Sequence, residues 1–211
     1  MPRIQAFEAH TQAYETWFEQ HPFVYQSELT AIRQMLPTRG EGIEIGAGSG
    51  RFTGPLNIRY GLEPSPKMCA LAKQYPIHMV RGIAECLPIR SSQFDYALMV
   101  TTICFVDDAE QALREIYRIL LPQSSLILGF VDKESPLGRQ YEHGRAKSRF
   151  YGEATFFSVP EVLRLLLKTG FYDHEIRQTL FMPLDHVAKV EPVRSGYGKG
   201  SFVVIKSTKS T

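Results

Sequence analysis

The sequence predicts an α/β fold of the doubly wound kind, a mostly parallel sheet with helices on both faces. Three observations predict it. From residue 42 onward, short apolar runs alternate with segments whose apolar residues recur at helical spacing, the pattern of repeated strand–helix units. The run from Phe94 to Thr101 is almost continuously apolar, as expected of a strand covered on both sides. A glycine-rich turn, Gly46-Ala47-Gly48-Ser49-Gly50, follows the first apolar run and lies at the carboxyl edge where such sheets bind ligands.

Taken in order, residues 1–36 read as a helical cap rich in aromatic side chains, among them Phe7, Tyr14, Trp17, Phe18, Phe23 and Tyr25. His21-Pro22 interrupts it, because proline disfavours helix in the residue before it. Leu29, Ile32, Arg33 and Leu36 continue with helical spacing, and Pro37 stops the helix. Gly42 to Ile45 is a short buried strand and Ile58 to Leu62 a second. Ser65 caps a helix with Pro66 at its first position and Met68, Leu71, Ala72 and Tyr75 on its apolar face. Ile77 to Val80 is a third strand and Phe94 to Thr101 a fourth. Asp107 with Glu110 resembles a capping box for the helix that carries Leu113, Ile116, Tyr117 and Leu120, and Pro122 ends that segment. Leu126 to Val131 is a fifth strand. Ser158 and Glu161 form a second capping box, with Gly170 as the helix's stop. Strand-like runs near Glu175 to Phe181 and Phe202 to Lys206 complete the chain.

These elements divide a single expected domain into the cap, a core over 37–131, an insertion over 132–158, and a C-terminal helix with antiparallel strands over 159–211. At 211 residues, 44% hydrophobic and 22% charged, the chain has ordinary globular composition. Its net charge of +2 gives no field that would favour nucleic acid. No apolar run approaches the roughly 20 residues of a spanning helix, and no secretory apolar segment is visible near the start. The expectation is a cytoplasmic protein, monomeric or homodimeric, without membrane or nucleic-acid partners. Cys69, Cys86 and Cys104 are scattered, lack metal-ligand spacing, and read as small buried apolar residues.

The chemistry concentrates in Glu44-Ile45-Gly46-Ala47-Gly48-Ser49-Gly50. Such a loop suits a nucleoside triphosphate, a dinucleotide or S-adenosylmethionine. A triphosphate loop ends in Gly-Lys-Ser/Thr, so that lysine can neutralise the phosphates; here Arg51 and Phe52 follow Gly50. The dinucleotide pattern needs glycine at position 51, which Arg51 occupies. The carboxylate of Glu44 would repel a pyrophosphate and can face a sulfonium or ammonium. Glu63, in Gly61-Leu62-Glu63-Pro64-Ser65 at the end of the second strand, stands where a carboxylate can accept hydrogen bonds from ribose hydroxyls. In Gly82-Ile83-Ala84-Glu85, Glu85 is placed to read an adenine amino group, with Ile83 or Met68 packing on the ring.

Three motifs in order, EIGAGSGRF, GLEPSPKM and GIAECLPIRSSQFDYALM, resemble the class I S-adenosylmethionine-dependent methyltransferases, in particular the small single-domain group that includes ubiquinone-biosynthesis-like enzymes. ALREIYRILLP and SSLILGF continue the likeness, which is strong from Pro37 to Val131. VTTICFVDD and GYGKGSFVVI resemble a prokaryotic subgroup suggested to act on small amines such as histamine. The resemblance implies a Rossmann-like sheet of seven strands, the last antiparallel, and S-adenosylmethionine as cofactor. It implies Glu44, Gly46, Ala47 and Gly48 near the methionine part, Glu63 with Pro64 at the ribose, and Met68, Ala84 and Glu85 at the adenine. It further implies that Thr101 lines the floor beneath the methyl group, and it implies no metal. One departure stands out: only the 11 residues from Ala47 to Asn57 separate the first two strands, so the first helix has one or two turns at most.

Methyl transfer from a sulfonium is an in-line displacement that asks mainly for alignment and exclusion of water, so no catalytic residue is assigned. The expected acceptor is a small molecule, with RNA or protein as alternative acceptors and a non-catalytic cofactor-binding regulator as a further alternative. Acceptor determinants are expected in the cap and in the insertion, which holds Arg139, Tyr141, His143, Arg145, Lys147, Arg149 and Tyr151. The basic run reads as a solvated helix face; His143 is the one histidine to weigh as a base, and Tyr14 could touch cofactor or acceptor, although a surface histidine and a packed aromatic are the simpler readings. Thr101-Thr102-Ile103-Cys104 replaces the Asn/Asp-Pro-Pro-Tyr signature of amide and nucleobase amino methylation, which argues against those acceptors.

Overall fold

The structure is a computed structural model and describes residues 3–210, so Met1 and Pro2 of the expected cap and Thr211 lie outside the described residues. One sheet runs in the order β3 (His78–Val80), β2 (Tyr60–Leu62), β1 (Gly42–Ile45), β4 (Phe94–Val100), β5 (Leu120–Val131), β8 (Phe202–Lys209), β6 (Phe171–Thr179) and β7 (Arg194–Ser195). The first five are mutually parallel, and β8 is antiparallel to both β5 and β6. This is the doubly wound sheet with an antiparallel last strand; β7 adds a two-residue edge to the expected seven. Strand order reverses between β1 and β4, which puts the crevice for a ligand above their carboxyl ends.

Alternate side chains of the strands enter two separate cores. Ala97 and Met99 of β4 and Val203 and Ile205 of β8 face one, closed by α5 (Ala109–Ile119) and α7 (Val159–Lys168). Leu98 and Val100 with Val204 and Phe202 face the other, where Leu29, Ile32 and Met35 of α3 (Pro22–Met35) and Phe18 of α2 (Thr11–Gln20) cover them. Burial on both faces explains why the sequence of β4 is apolar at nearly every position.

Local signals set most boundaries. The Ser65 hydroxyl accepts from the Met68 amide at 3.1 Å and opens α4 (Pro66–Ala72). The Ser158 amide donates to Glu161 Oε2 at 2.7 Å, so the second capping box is present, and Gly170 at φ +94° follows the helix it starts. The first box is not: Asp108 caps α5, its carboxylate accepting from the Gln111 amide at 3.0 Å. Asp107 is diverted because its own amide donates to Glu85. Pro122 also falls differently, inside β5, where a register shift opposite Phe94/Tyr96 spares the amide that proline lacks. Cys86 is exposed and Cys69 partly so; only Cys104 is buried. No described helix is long and apolar enough to cross a membrane.

The crossover from β1 to β2 contains turns and no regular helix. Its i→i+4 bonds, Gly50 O to the Gly54 amide at 2.9 Å and Phe52 O to the Leu56 amide at 3.1 Å, amount to the one or two turns its length allows. The cap makes good the missing helix. Glu15 of α2 pairs with Arg51, Nε to Oε2 at 2.8 Å, and accepts from the Ser49 hydroxyl, while the Tyr25 hydroxyl of α3 donates to the Arg51 carbonyl. The Arg51 guanidinium lies 5.3 Å from the centre of the Phe18 ring, a cation–π contact that fixes it further.

Candidate functional site

A cavity of about 460 Å³ opens above the carboxyl ends of β1, β2, β4 and β5, within the range of about 300–1,000 Å³ usual for small-molecule sites. Gly46, Gly48, Glu63, Pro64, Met68, Ala84, Glu85 and Thr101 all line it. Glu44 and Ala47 do not. The loop's conformation explains the need for glycine at position 46: its φ is +76°, and a Cβ there would lie 2.4 Å from the Thr102 side chain.

Glu63 is the organising carboxylate. It is 7% exposed, with Oε2 accepting from the Gly48 amide at 3.0 Å and Oε1 from the Ser65 amide at 2.8 Å. Burial raises its pKa and the two amides oppose that rise. A carboxylate offers about four lone-pair sites, so two remain for ligand hydroxyls. Glu8 of α1 (Gln5–Ala9) closes over the same corner, accepting from the Ser65 hydroxyl and from the Lys67 amide at 3.2 Å.

Ile83, Ala84 and Met68 form an apolar wall beside Glu63. Glu85 is held by its Oε1, which accepts from the Asp107 amide at 2.6 Å, leaving Oε2 for a ligand amino group. Thr101 sits at the end of β4 with φ +49°, its amide tied to the Gly129 carbonyl at 2.8 Å. Glu44 is turned toward the crossover, where the Thr53 hydroxyl donates to it, and burial pushes its carboxyl up to about 8. The carboxylate expected to face a cation is thus buried and bonded to the Thr53 hydroxyl.

The other half of the cavity lies beyond β4 and is aromatic. Tyr14 and Trp17 of α2, Tyr141 of α6 (Pro136–Gly144), and Phe150 and Tyr151 after it contribute. The Tyr14 hydroxyl stands over the loop, 3.5 Å from where a Gly48 Cβ would be, and burial pushes its phenol above the usual range. The insertion therefore faces the cavity through its aromatic residues, while His143 is exposed, bonded through Nδ1 to the Arg139 carbonyl at 2.7 Å, and outside the lining. Among the lining residues that carry no expectation from the sequence are Thr102, whose hydroxyl donates to the Val100 carbonyl at 2.9 Å, and Glu28 of α3. The signal for Glu28 was present, since it lies four residues before Ile32 and seven before Met35 on the helix's buried stripe.

Comparison with known proteins agrees with this architecture. A family model described as a methyltransferase domain matches residues 43–128, the stretch from β1 into β5. An uncharacterised protein of Methanocaldococcus jannaschii is 36% identical over 206 residues, covering 98% of this chain and 100% of its own. A crystal structure from Thermotoga maritima, described as a SAM-dependent methyltransferase and possible histamine N-methyltransferase, is 48% identical, covers 99% of this chain and 100% of its own, and superposes with a TM-score of 0.96. A Mesorhizobium loti S-adenosylmethionine-dependent methyltransferase at 17% identity, covering 87% of this chain and 98% of its own with a TM-score of 0.65, shares the fold. The chain belongs to the class I S-adenosylmethionine-dependent methyltransferases.

Proposed function

We propose that the protein transfers the methyl group of S-adenosylmethionine to a small molecule enclosed in the aromatic half of the cavity. The observation that carries this reading is the division of one cavity into a polar end built on Glu63 and the glycine loop and an aromatic end built from the cap and the insertion. The residues fit the cofactor. Glu63 has spare acceptor sites for ribose hydroxyls beside Pro64, Gly46 and Gly48 present bare backbone, and Met68, Ala84 and Glu85 suit an aminopurine. Glu44 and Ala47 act from behind the loop, Glu44 by holding Thr53.

Bound there, S-adenosylmethionine supplies a methyl group on a sulfonium with a neutral leaving group. Thr101, at the strand end between the two halves, forms the floor where they meet. Tyr14, Trp17 and Tyr141 wall the acceptor side and keep water out, which strengthens every electrostatic contact inside. In this reading residues 37–131 carry the donor, and the cap and the insertion at 132–158 choose the acceptor.

Calorimetric titration with S-adenosylmethionine and S-adenosylhomocysteine tests the cofactor, and transfer of labelled methyl to small molecules, bulk RNA and protein tests the acceptor class. The description of the Thermotoga maritima protein places histamine first among the small molecules. Heat of binding for both nucleosides with label in a small molecule is the expected result. No heat for either, or label in RNA or protein alone, overturns the reading.

A further inference from the structure

Glu28 is a glutamate without a partner in an apolar chamber. It is 6% exposed, lines the cavity, and has no hydrogen-bond or ion-pair partner among the described residues. Its helix packs on β5, β8 and β6, whereas Glu63 directly follows β2, so the two carboxylates stand at opposite ends of the cavity with β1 and β4 between them. The helix is anchored there: the Ser27 hydroxyl donates to the Phe23 carbonyl at 2.6 Å and accepts from the Glu191 amide at 2.8 Å. An unpaired buried carboxylate is costly, and a protein tolerates one where a ligand completes it.

We infer that Glu28 is the acceptor-binding residue of the site, and that the acceptor is a small, mostly apolar amine whose ammonium group pairs with it. This rests on the reading of the polar end as the S-adenosylmethionine site. The chemistry of the surroundings selects the class. An alcohol or phenol can offer the protonated carboxyl only a neutral hydrogen bond, whereas an ammonium pairs with the carboxylate and cancels its charge. The faces of Trp17, Tyr141 and Tyr151 attract a cation and offer nothing comparable to a neutral hydroxyl.

The same pairing supplies the proton step. The ammonium nitrogen gives one proton to the Glu28 carboxylate, and the freed lone pair forms the N–C bond to the methyl group. The methyl–sulfur bond breaks with its electron pair kept on sulfur, leaving a neutral thioether. The product departs as an N-methylammonium ion, and the proton on Glu28 passes to solvent. Burial pushes the Glu28 carboxyl up to about 8, near enough to an amine for the transfer to run either way. The other ionisable groups that line the cavity are Arg3, Glu63, Glu85, Tyr14, Tyr141 and Tyr151. Burial holds all three of these phenols in their neutral form, and the nearby Glu28 charge adds to it.

The test uses wild type, Glu28→Gln and Glu28→Asp, each saturated with S-adenosylhomocysteine and titrated with primary amines from n-butylamine to 2-phenylethylamine and with the alcohols of the same skeletons. Wild type is expected to bind at least one amine tenfold or more tightly than its alcohol. Glu28→Gln should lose that preference while keeping its affinity for S-adenosylhomocysteine within twofold, and Glu28→Asp should recover part of it. Amine binding to wild type at pH 7 should also release a proton, seen as a binding heat that varies with the ionisation heat of the buffer. Wild type that binds S-adenosylhomocysteine but no amine, or an amine preference that survives in Glu28→Gln, overturns the assignment and leaves the cofactor site standing. Wild type that fails to bind S-adenosylhomocysteine removes both readings.

Discussion

Replacing Glu63 with alanine acts on two sets of hydrogen bonds, and the structure separates them. Inside the protein, the Gly48 and Ser65 amides lose an acceptor at 3.0 and 2.8 Å. Bonds to a charged group contribute roughly 1.5–3 kcal/mol each. Water entering from the cavity recovers part of that, so unfolding free energy should fall by about 2–4 kcal/mol. Toward the ligand, the lost contact is one charge-assisted set to the ribose hydroxyls, again roughly 1.5–3 kcal/mol. At about 1.4 kcal/mol per factor of ten, affinity for S-adenosylhomocysteine should drop roughly tenfold to a hundredfold. Calorimetry reads the second quantity and urea unfolding the first. A Glu63→Ala protein that is less stable yet binds S-adenosylhomocysteine within twofold of wild type would refute the reasoning, because Glu63 would then be only a brace for the loop.

Three further outcomes follow from the same geometry. Glu44→Gln should change how stability depends on pH: with its carboxyl at about 8 when folded, against about 4.3 in an unfolded chain, Glu44 keeps a proton that the unfolded state gives up, so wild-type stability declines as pH rises between those values. The glutamine keeps an oxygen for the Thr53 hydroxyl and should gain about 2 kcal/mol or more on wild type between pH 5 and pH 8.5; parallel pH profiles in urea unfolding would show that Glu44 does not titrate in this way. Arg51→Met removes the half-buried pair with Glu15 and should cost about 1 kcal/mol of stability and weaken S-adenosylhomocysteine severalfold; unchanged affinity would mean that the loop keeps its form without α2. Gly46→Ala forces a side chain into φ +76° and against Thr102, and should cost roughly 2–4 kcal/mol in urea unfolding; a loss below about 1 kcal/mol would contradict the clash.

The readable parts of this protein are those set by neighbours in the chain. Ser65-Pro66 and Ser158 with Glu161 announce their helices because a cap and its amides are three residues apart. The glycine loop and Glu63 are legible for the same reason, each marking the end of its own strand. Asp107 looks locally like a cap, yet its amide is claimed by Glu85, 22 residues away in sequence. Local electrostatics point Glu44 at a cationic ligand, and only the fold shows that the Thr53 hydroxyl of the crossover also bonds to it. Glu28 interrupts an apolar stripe, but nothing local says what lies opposite that helix. The chamber across from it is assembled from α2, α6 and the segment after α6, and only the fold brings these together.

The short crossover between β1 and β2 has a consequence for how the molecule must move. Tyr14, Glu15 and Trp17 occupy a single turn of α2, and that turn serves both ends of the cavity: Tyr14 and Trp17 wall it, and Glu15 ties down the glycine loop through Arg51 and Ser49. A rigid helix cannot lift one of these side chains without the others. Any displacement of α2 that opens the aromatic end also slackens the loop at the polar end, so the two ends of the cavity are mechanically geared.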